Sequence, residues 1–164
     1  MKAPADYVLY EHTSMKRRAR FAFERDFRMS TEGEAANVGR VSVSLVDGDA
    51  DVRHARQLML RSEDYDVSSY ATCSGLLADP TSQNDSCIVV DVSMRDGDGL
   101  KFLREMRANG WHGHAILLDG KNPTGKLARE ASLHGDQVHD RDIGDRQLVL
   151  AVAASACVRP NVSS

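Results

Sequence analysis

Asp47, Asp91 and Asp119 each stand where an apolar run ends: Val41-Ser-Val-Ser-Leu-Val46 leads to the first, Cys87-Ile-Val-Val90 to the second and His114-Ala-Ile-Leu-Leu118 to the third. One aspartate in such a place reads as a helix cap that also complements the helix dipole. Three at three strand ends read as a set. Carboxylates crowded into one crevice repel, raise one another's pKa and favour a hard, oxygen-seeking cation such as Mg²⁺. Other chemistries fall away. Asp47, Asp49 and Asp51 imitate the start of an EF-hand loop, but Val52 replaces its glycine and Leu58 its closing glutamate. His112 and His114 lack two further ligands in range and read as surface residues. No nucleophile elbow supports Ser-His-Asp catalysis.

The elements that must position these aspartates alternate between strand and amphipathic helix from Arg40 onward, the pattern of a parallel sheet covered on both faces. The first strand precedes a helix from Asp51 whose buried face is read as Val52, Ala55 and Met59. Asp66 to Tyr70 is a short edge-like strand, and Ser74 to Ala78 a short helix stopped near Pro80. Cys87 to Asp91 is the most continuously apolar strand and belongs in the middle of the sheet. Leu100, Leu103 and Met106 stripe the next helix, which ends at Asn109-Gly110. After the fourth strand, Pro123 suits the first turn of a helix with Leu127, Ala131 and Leu133 inward and Gly135 at its exit. A short polar fifth strand, Gln137 to Asp140, and a last helix, Asp145 to Cys157, complete five βα units. In such sheets the working crevice lies off the carboxyl ends of the strands, where the three aspartates stand.

Two stretches carry a resemblance. Val46-Asp-Gly-Asp-Ala-Asp-Val-Arg53 and Val90-Asp-Val-Ser-Met-Arg-Asp-Gly-Asp-Gly-Leu100 resemble the acidic turn and the phosphoacceptor stretch of response regulator receiver domains. Tyr65-Asp-Val and Gly135 fall where receivers have them, so the likeness covers residues 41 to about 157. It implies a flavodoxin-like (CheY-like) three-layer sandwich, a five-stranded parallel sheet with helices on both faces. It also implies a module that is not itself an enzyme and that takes a phosphoryl group on Asp91 from a histidine kinase or phosphotransfer protein. Asp47, Asp91 and the backbone carbonyl of Ser93 would then hold Mg²⁺.

Departures from the family pattern are concentrated in the pocket. Gly48 replaces the second of two adjacent acidic residues, which removes a principal metal ligand and weakens the metal; Asp49 reads as a helix cap. Asp119 replaces the Ser or Thr that ends the fourth strand, where a carboxylate repels a phosphoryl dianion. Arg141 or Asp142 falls where a lysine ends the fifth strand, Arg95 replaces a proline, and Val138 or His139 replaces the switch aromatic. An alternative is therefore a degenerate pseudo-receiver, a phosphorylation-independent binding or dimerisation module. A remoter one, from Asp47-Gly-Asp49, is a haloacid-dehalogenase-like phosphatase.

The composition is that of an ordinary globular chain: 164 residues, 41% hydrophobic and 27% charged, with neither an apolar run that could cross a membrane nor a signal peptide. We expect a cytoplasmic protein. Cys73, Cys87 and Cys157, odd in number and widely spaced, read as reduced core residues. The net charge of −3 divides into +2 over residues 1–40 and −5 beyond, so a nucleic-acid partner is unlikely on the body. The boundaries read as a flexible, dispensable extension over 1–39, which includes a basic helix from His12 to Arg28, a receiver-like domain over 40–158 and a tail over 159–164 with no output domain. Leu148, Val149 and Val152 on the last helix offer an apolar surface through which the last two helices could pair in a homodimer.

Overall fold

A computed structural model describes residues 40–94, 98–120 and 125–157. The His12–Arg28 helix, Arg95, Pro123 and the 159–164 tail lie outside the described residues. The elements follow in the order β1 (Ser42–Val46), α1 (Ala50–Ser62), β2 (Asp66–Tyr70), α2 (Cys73–Leu77), a 3₁₀ turn (Pro80–Asn84), β3 (Cys87–Asp91), α3 (Gly99–Ala108), β4 (His114–Asp119), α4 (Gly125–Leu133), β5 (Gln137–Asp140) and α5 (Asp145–Cys157). All strands pair in parallel in the order β2-β1-β3-β4-β5, a flavodoxin-like sheet with β3 at its centre. Every residue of β3 is buried, as expected of a strand covered on both faces.

Two apolar layers hold the helices on. Val46, Ile88, Val90, Ala115 and Leu117 point to the side covered by α2, α3 and α4, which contribute Leu76, Phe102, Leu103, Met106, Leu127 and Ala131. The alternate residues Val43, Leu45, Val89, Ile116 and Leu118 meet Leu60 of α1 and Leu148, Ala151 and Val152 of α5. This alternation is the strand period of two expressed as two cores.

Local chemistry sets the helix ends. The side chains of Asp49, Thr72 and Asp98 accept N–H groups in the first turns of α1, α2 and α3. At the exit of α3 it is Gly110, not Asn109, that takes the left-handed conformation (φ +97°), and Gly135 (φ +71°) follows α4 in the same way. Asp136 is turned inward there to accept Ala115 N–H at 2.8 Å and Arg107 Nη2 at 2.8 Å. Among the described residues no helix is long and apolar enough to cross a membrane.

Three residues expected inside lie exposed, and two expected on the surface are buried. Ala55 is exposed, and α1 buries Arg56 and Leu60 instead, because an ion pair gives the cationic side chain a reason to face inward. Leu133, at the last position of α4, is 81% exposed. Cys157 is exposed, whereas Cys73 and Cys87 are buried and form no disulfide. Leu148 and Val152 are consumed by the sheet, and Leu150 is an exposed large apolar residue of α5.

Gly113 admits the chain into β4 past its neighbours: a Cβ there would stand 2.7 Å from Asp85 O, 2.8 Å from Ser86 O and 2.6 Å from the Trp111 ring. Two of these obstacles are backbone. Gly113→Ala should lower stability by about 1–3 kcal/mol in urea denaturation through overpacking. In β5, burial holds the His139 imidazole below its ordinary value of 6.5, with Nε2 3.0 Å from Gln137 Oε1. A histidine held down in the folded state contributes stability above its unfolded pKa and loses it as pH falls through the folded value. Wild type should therefore lose more stability than His139→Gln when urea midpoints are compared just above pH 7 and well below pH 6.5.

Candidate functional site

Chain direction across the sheet reverses between β1 and β3, which opens a crevice beyond their carboxyl ends. Val46 pairs with Val90, so Asp47, one residue past β1, lies level with Asp91 at the end of β3. Both are buried, at 0% and 2% exposure. Backbone bonds lock both strand ends: Asp47 N–H donates to Tyr70 O at 3.2 Å and Val92 N–H to Leu118 O at 2.9 Å.

Each carboxylate meets one N–H and one guanidinium. Asp47 Oδ1 accepts Asp49 N–H at 2.9 Å, and its Oδ2 accepts Arg56 Nη1 at 3.0 Å. Asp91 Oδ1 accepts Ser93 N–H at 2.8 Å, and its Oδ2 lies 2.9 Å from Arg141 Nε. The two pairs are joined, because Arg56 Nη2 donates to the Arg141 carbonyl at 2.6 Å. Arg53 Nη1 adds a bond to the Asp47 carbonyl at 2.7 Å. The two ion pairs, joined through the Arg141 backbone carbonyl, carry two formal negative and two formal positive charges that sum to zero.

The helix geometry explains how Arg56 arrives. Asp49 caps α1 with its Oδ1, accepting from Asp51 N and Val52 N. Arg56 sits two turns further on, and helical side chains lean toward the N-terminus, back over the strand end. Sequence reasoning missed it by counting only apolar residues on that face. The available signal was an arginine four residues after Val52 and four before Leu60, within the buried stripe.

The remaining expected residues divide. Arg141, rather than Asp142, reaches Asp91; its N–H donates to Asp119 O at 2.9 Å, while Asp142 N–H closes a turn on Asp140 Oδ1. Its side chain is 41% exposed and stands toward solvent beside the buried carboxylate. Asp119 is half-buried and contributes its carbonyl, not its carboxylate, to this network. Gly48 is exposed with open space around it, so no packing demands a glycine there. Ser93 Oγ lies 3.5 Å from where a Cβ on Gly120 would stand, across the mouth from β4. Val138 packs toward the α3 and α4 side, and His139 faces the α5 side.

These donors do not fit Mg²⁺. The ion demands near-octahedral oxygen ligands, whereas three of the four carboxylate oxygens of Asp47 and Asp91 already accept N–H groups and the fourth is ion-paired with Arg141 Nε. Among the described residues no three His, Cys, Asp or Glu side chains gather as a metal site, so the expected crowd of three carboxylates is not formed.

Residues 43–153 match the response regulator receiver domain family. The chain is 26% identical over 113 residues to the transcriptional regulatory protein FixJ of Azorhizobium caulinodans, covering 69% of this chain and 54% of that one. It thus spans about half the length of this curated relative. Its fold is similar to that of the chemotaxis protein CheY4 of Vibrio cholerae (TM-score 0.64, 18% identity, 71% of this chain and 99% of that one). It is also similar to a CheY-like receiver domain protein of Methanospirillum hungatei (TM-score 0.62, 17% identity, 72% and 94%).

The buried pair makes Asp47 and Arg56 energetically dependent on each other. Removing one partner strands the other charge in low dielectric, at a cost of about 3–5 kcal/mol, whereas replacing both with apolar groups of similar volume is often neutral. Asp47→Ala should lose that much in urea denaturation, and the double variant Asp47→Leu/Arg56→Met should recover most of it.

Proposed function

The chain belongs to the response regulator receiver domain family, and we propose that it serves phosphorelay signal transduction by accepting a phosphoryl group on Asp91 from a histidine kinase or phosphotransfer protein. Receivers are signalling modules, generally not enzymes, that interact with such proteins and generally bind Mg²⁺ at the phosphorylation site. The observation that carries the reading for this chain is the Arg141 guanidinium 2.9 Å from the Asp91 carboxylate at the end of the central strand.

A carboxylate oxygen of Asp91 attacks phosphorus, an O–P bond forms, and the P–N bond of a phosphohistidine breaks with its electron pair going to the imidazole. Arg141 then moves its charge from the carboxylate to the phosphoryl oxygens, where charge-assisted bonds are strongest. Its exposed stem gives it room to do so. No step is assigned to a metal. The working unit is residues 40–158 in the cytoplasm, with residues 1–39 dispensable to it. A second copy would meet the outward faces of α4 and α5, where Leu133 and Leu150 lie exposed.

A second reading, the phosphorylation-independent binding module, is favoured by one feature: arginines neutralise both carboxylates without any ligand. Intact mass spectrometry after incubation with acetyl phosphate, with and without Mg²⁺, separates the two. The first reading expects one added phosphoryl group, labile to base and lost in Asp91→Asn. No gain from a folded wild type would leave the binding module standing in its place.

A further inference from the structure

We propose that Arg56 is a resident cation that takes the electrostatic place of a divalent metal, so that the pocket between β1 and β3 excludes Mg²⁺. Three observations converge. Asp47 has no exposed surface, and its Oδ2 is held at 3.0 Å by a guanidinium whose own side chain is only 10% exposed. The other arm of that guanidinium is fastened to the Arg141 carbonyl at 2.6 Å, so the charge is held from two sides. Gly48 supplies no second carboxylate, although a Cβ there would meet nothing within 4 Å.

Charge balance gives the argument its force. With Arg56 on Asp47 and Arg141 on Asp91, the four groups are neutral before any ion arrives. A divalent cation entering beside Asp47 would face a guanidinium at close range, and the Asp47 and Asp91 carboxylates are already paired. It would have to displace Arg56, which would then lose its counter-charge inside the protein, where an unpaired charge costs several kcal/mol. A planar, permanently charged guanidinium can hold a carboxylate and a carbonyl together, which a lysine ammonium does less well. The exclusion is therefore a property of this one side chain and its two acceptors, and it does not depend on whether Asp91 is ever phosphorylated.

The test reads the metal directly. Mn²⁺, as a paramagnetic substitute for Mg²⁺, is titrated into wild type, Arg56→Gln and Asp47→Asn, with bound ion followed by electron paramagnetic resonance and binding of Mg²⁺ itself by calorimetry. Wild type is expected to show no saturable site in the millimolar range, and Arg56→Gln to gain one, tighter by more than about tenfold. A wild-type site that is lost in Asp47→Asn would overturn the proposal. So would a folded Arg56→Gln that still ignores the metal, since something other than Arg56 would then keep the ion out. Should Arg56→Gln be unfolded alone, recovery of its circular dichroism on adding Mg²⁺ supports the substitution of one cation for the other; failure to recover counts against it. None of these readouts involves a phosphoryl donor, so an unphosphorylated Asp91 leaves the result intact.

Discussion

The guanidinium of Arg56 binds two things at once, the Asp47 carboxylate at the end of β1 and the Arg141 carbonyl just beyond β5. These points are separated by β3 and β4 in the sheet, so a single side chain from α1 spans the crevice. Among the described residues, Arg53 and Arg141 join that span at the carboxyl edge. Arg141, held by its carbonyl to Arg56 and by its N–H to Asp119 O, can direct its own side chain only toward Asp91 or solvent. The buried acid of β3 is thereby neutralised through a residue that α1 positions.

Such a network requires a rigid frame, because charge-assisted bonds near 3 Å lose their advantage with small displacements. The frame is the sheet. Four parallel registers hold the strand ends level, and two apolar layers clamp the helices to it. Asp49 contributes by starting α1 immediately after the turn, which puts Arg56 on the face above the crevice. Asp136 does the same office at the opposite edge, where its buried carboxylate ties Arg107 of α3 to the Ala115 N–H near the start of β4.

Membership of the receiver family fixes the fold and the class of process, while this chain's own pocket has a different charge economy from the one the family pattern implies. A pocket built from acidic residues alone needs a cation from solution. Here the cations are covalently part of the chain, and Arg56 and Arg141 pair with both carboxylates. The likeness to solved receivers, at identities below one in five, is a likeness of backbone and leaves that chemistry to the side chains.

The sequence by itself determined the order of elements, the central place of Cys87–Asp91 and the level of Asp47 beside Asp91, because strand and helix periods and the parallel βα rule act on local pattern. Even the short polar strand Gln137–Asp140 was legible from its place between two helices. It did not decide which way the long cationic side chains turn. Arg56 in a buried stripe looks unfavourable until the carboxylate and carbonyl that receive it are in place, and Arg141 and Asp142 are indistinguishable as candidates until β5 is registered on β4. Leu148 and Val152 likewise read as surface from one helix alone and became core only against β4 and its neighbours. Periodicity says which residues share a face; only the assembled sheet decides what that face meets, and for a charged side chain the identity of its partner is the whole of its energetics.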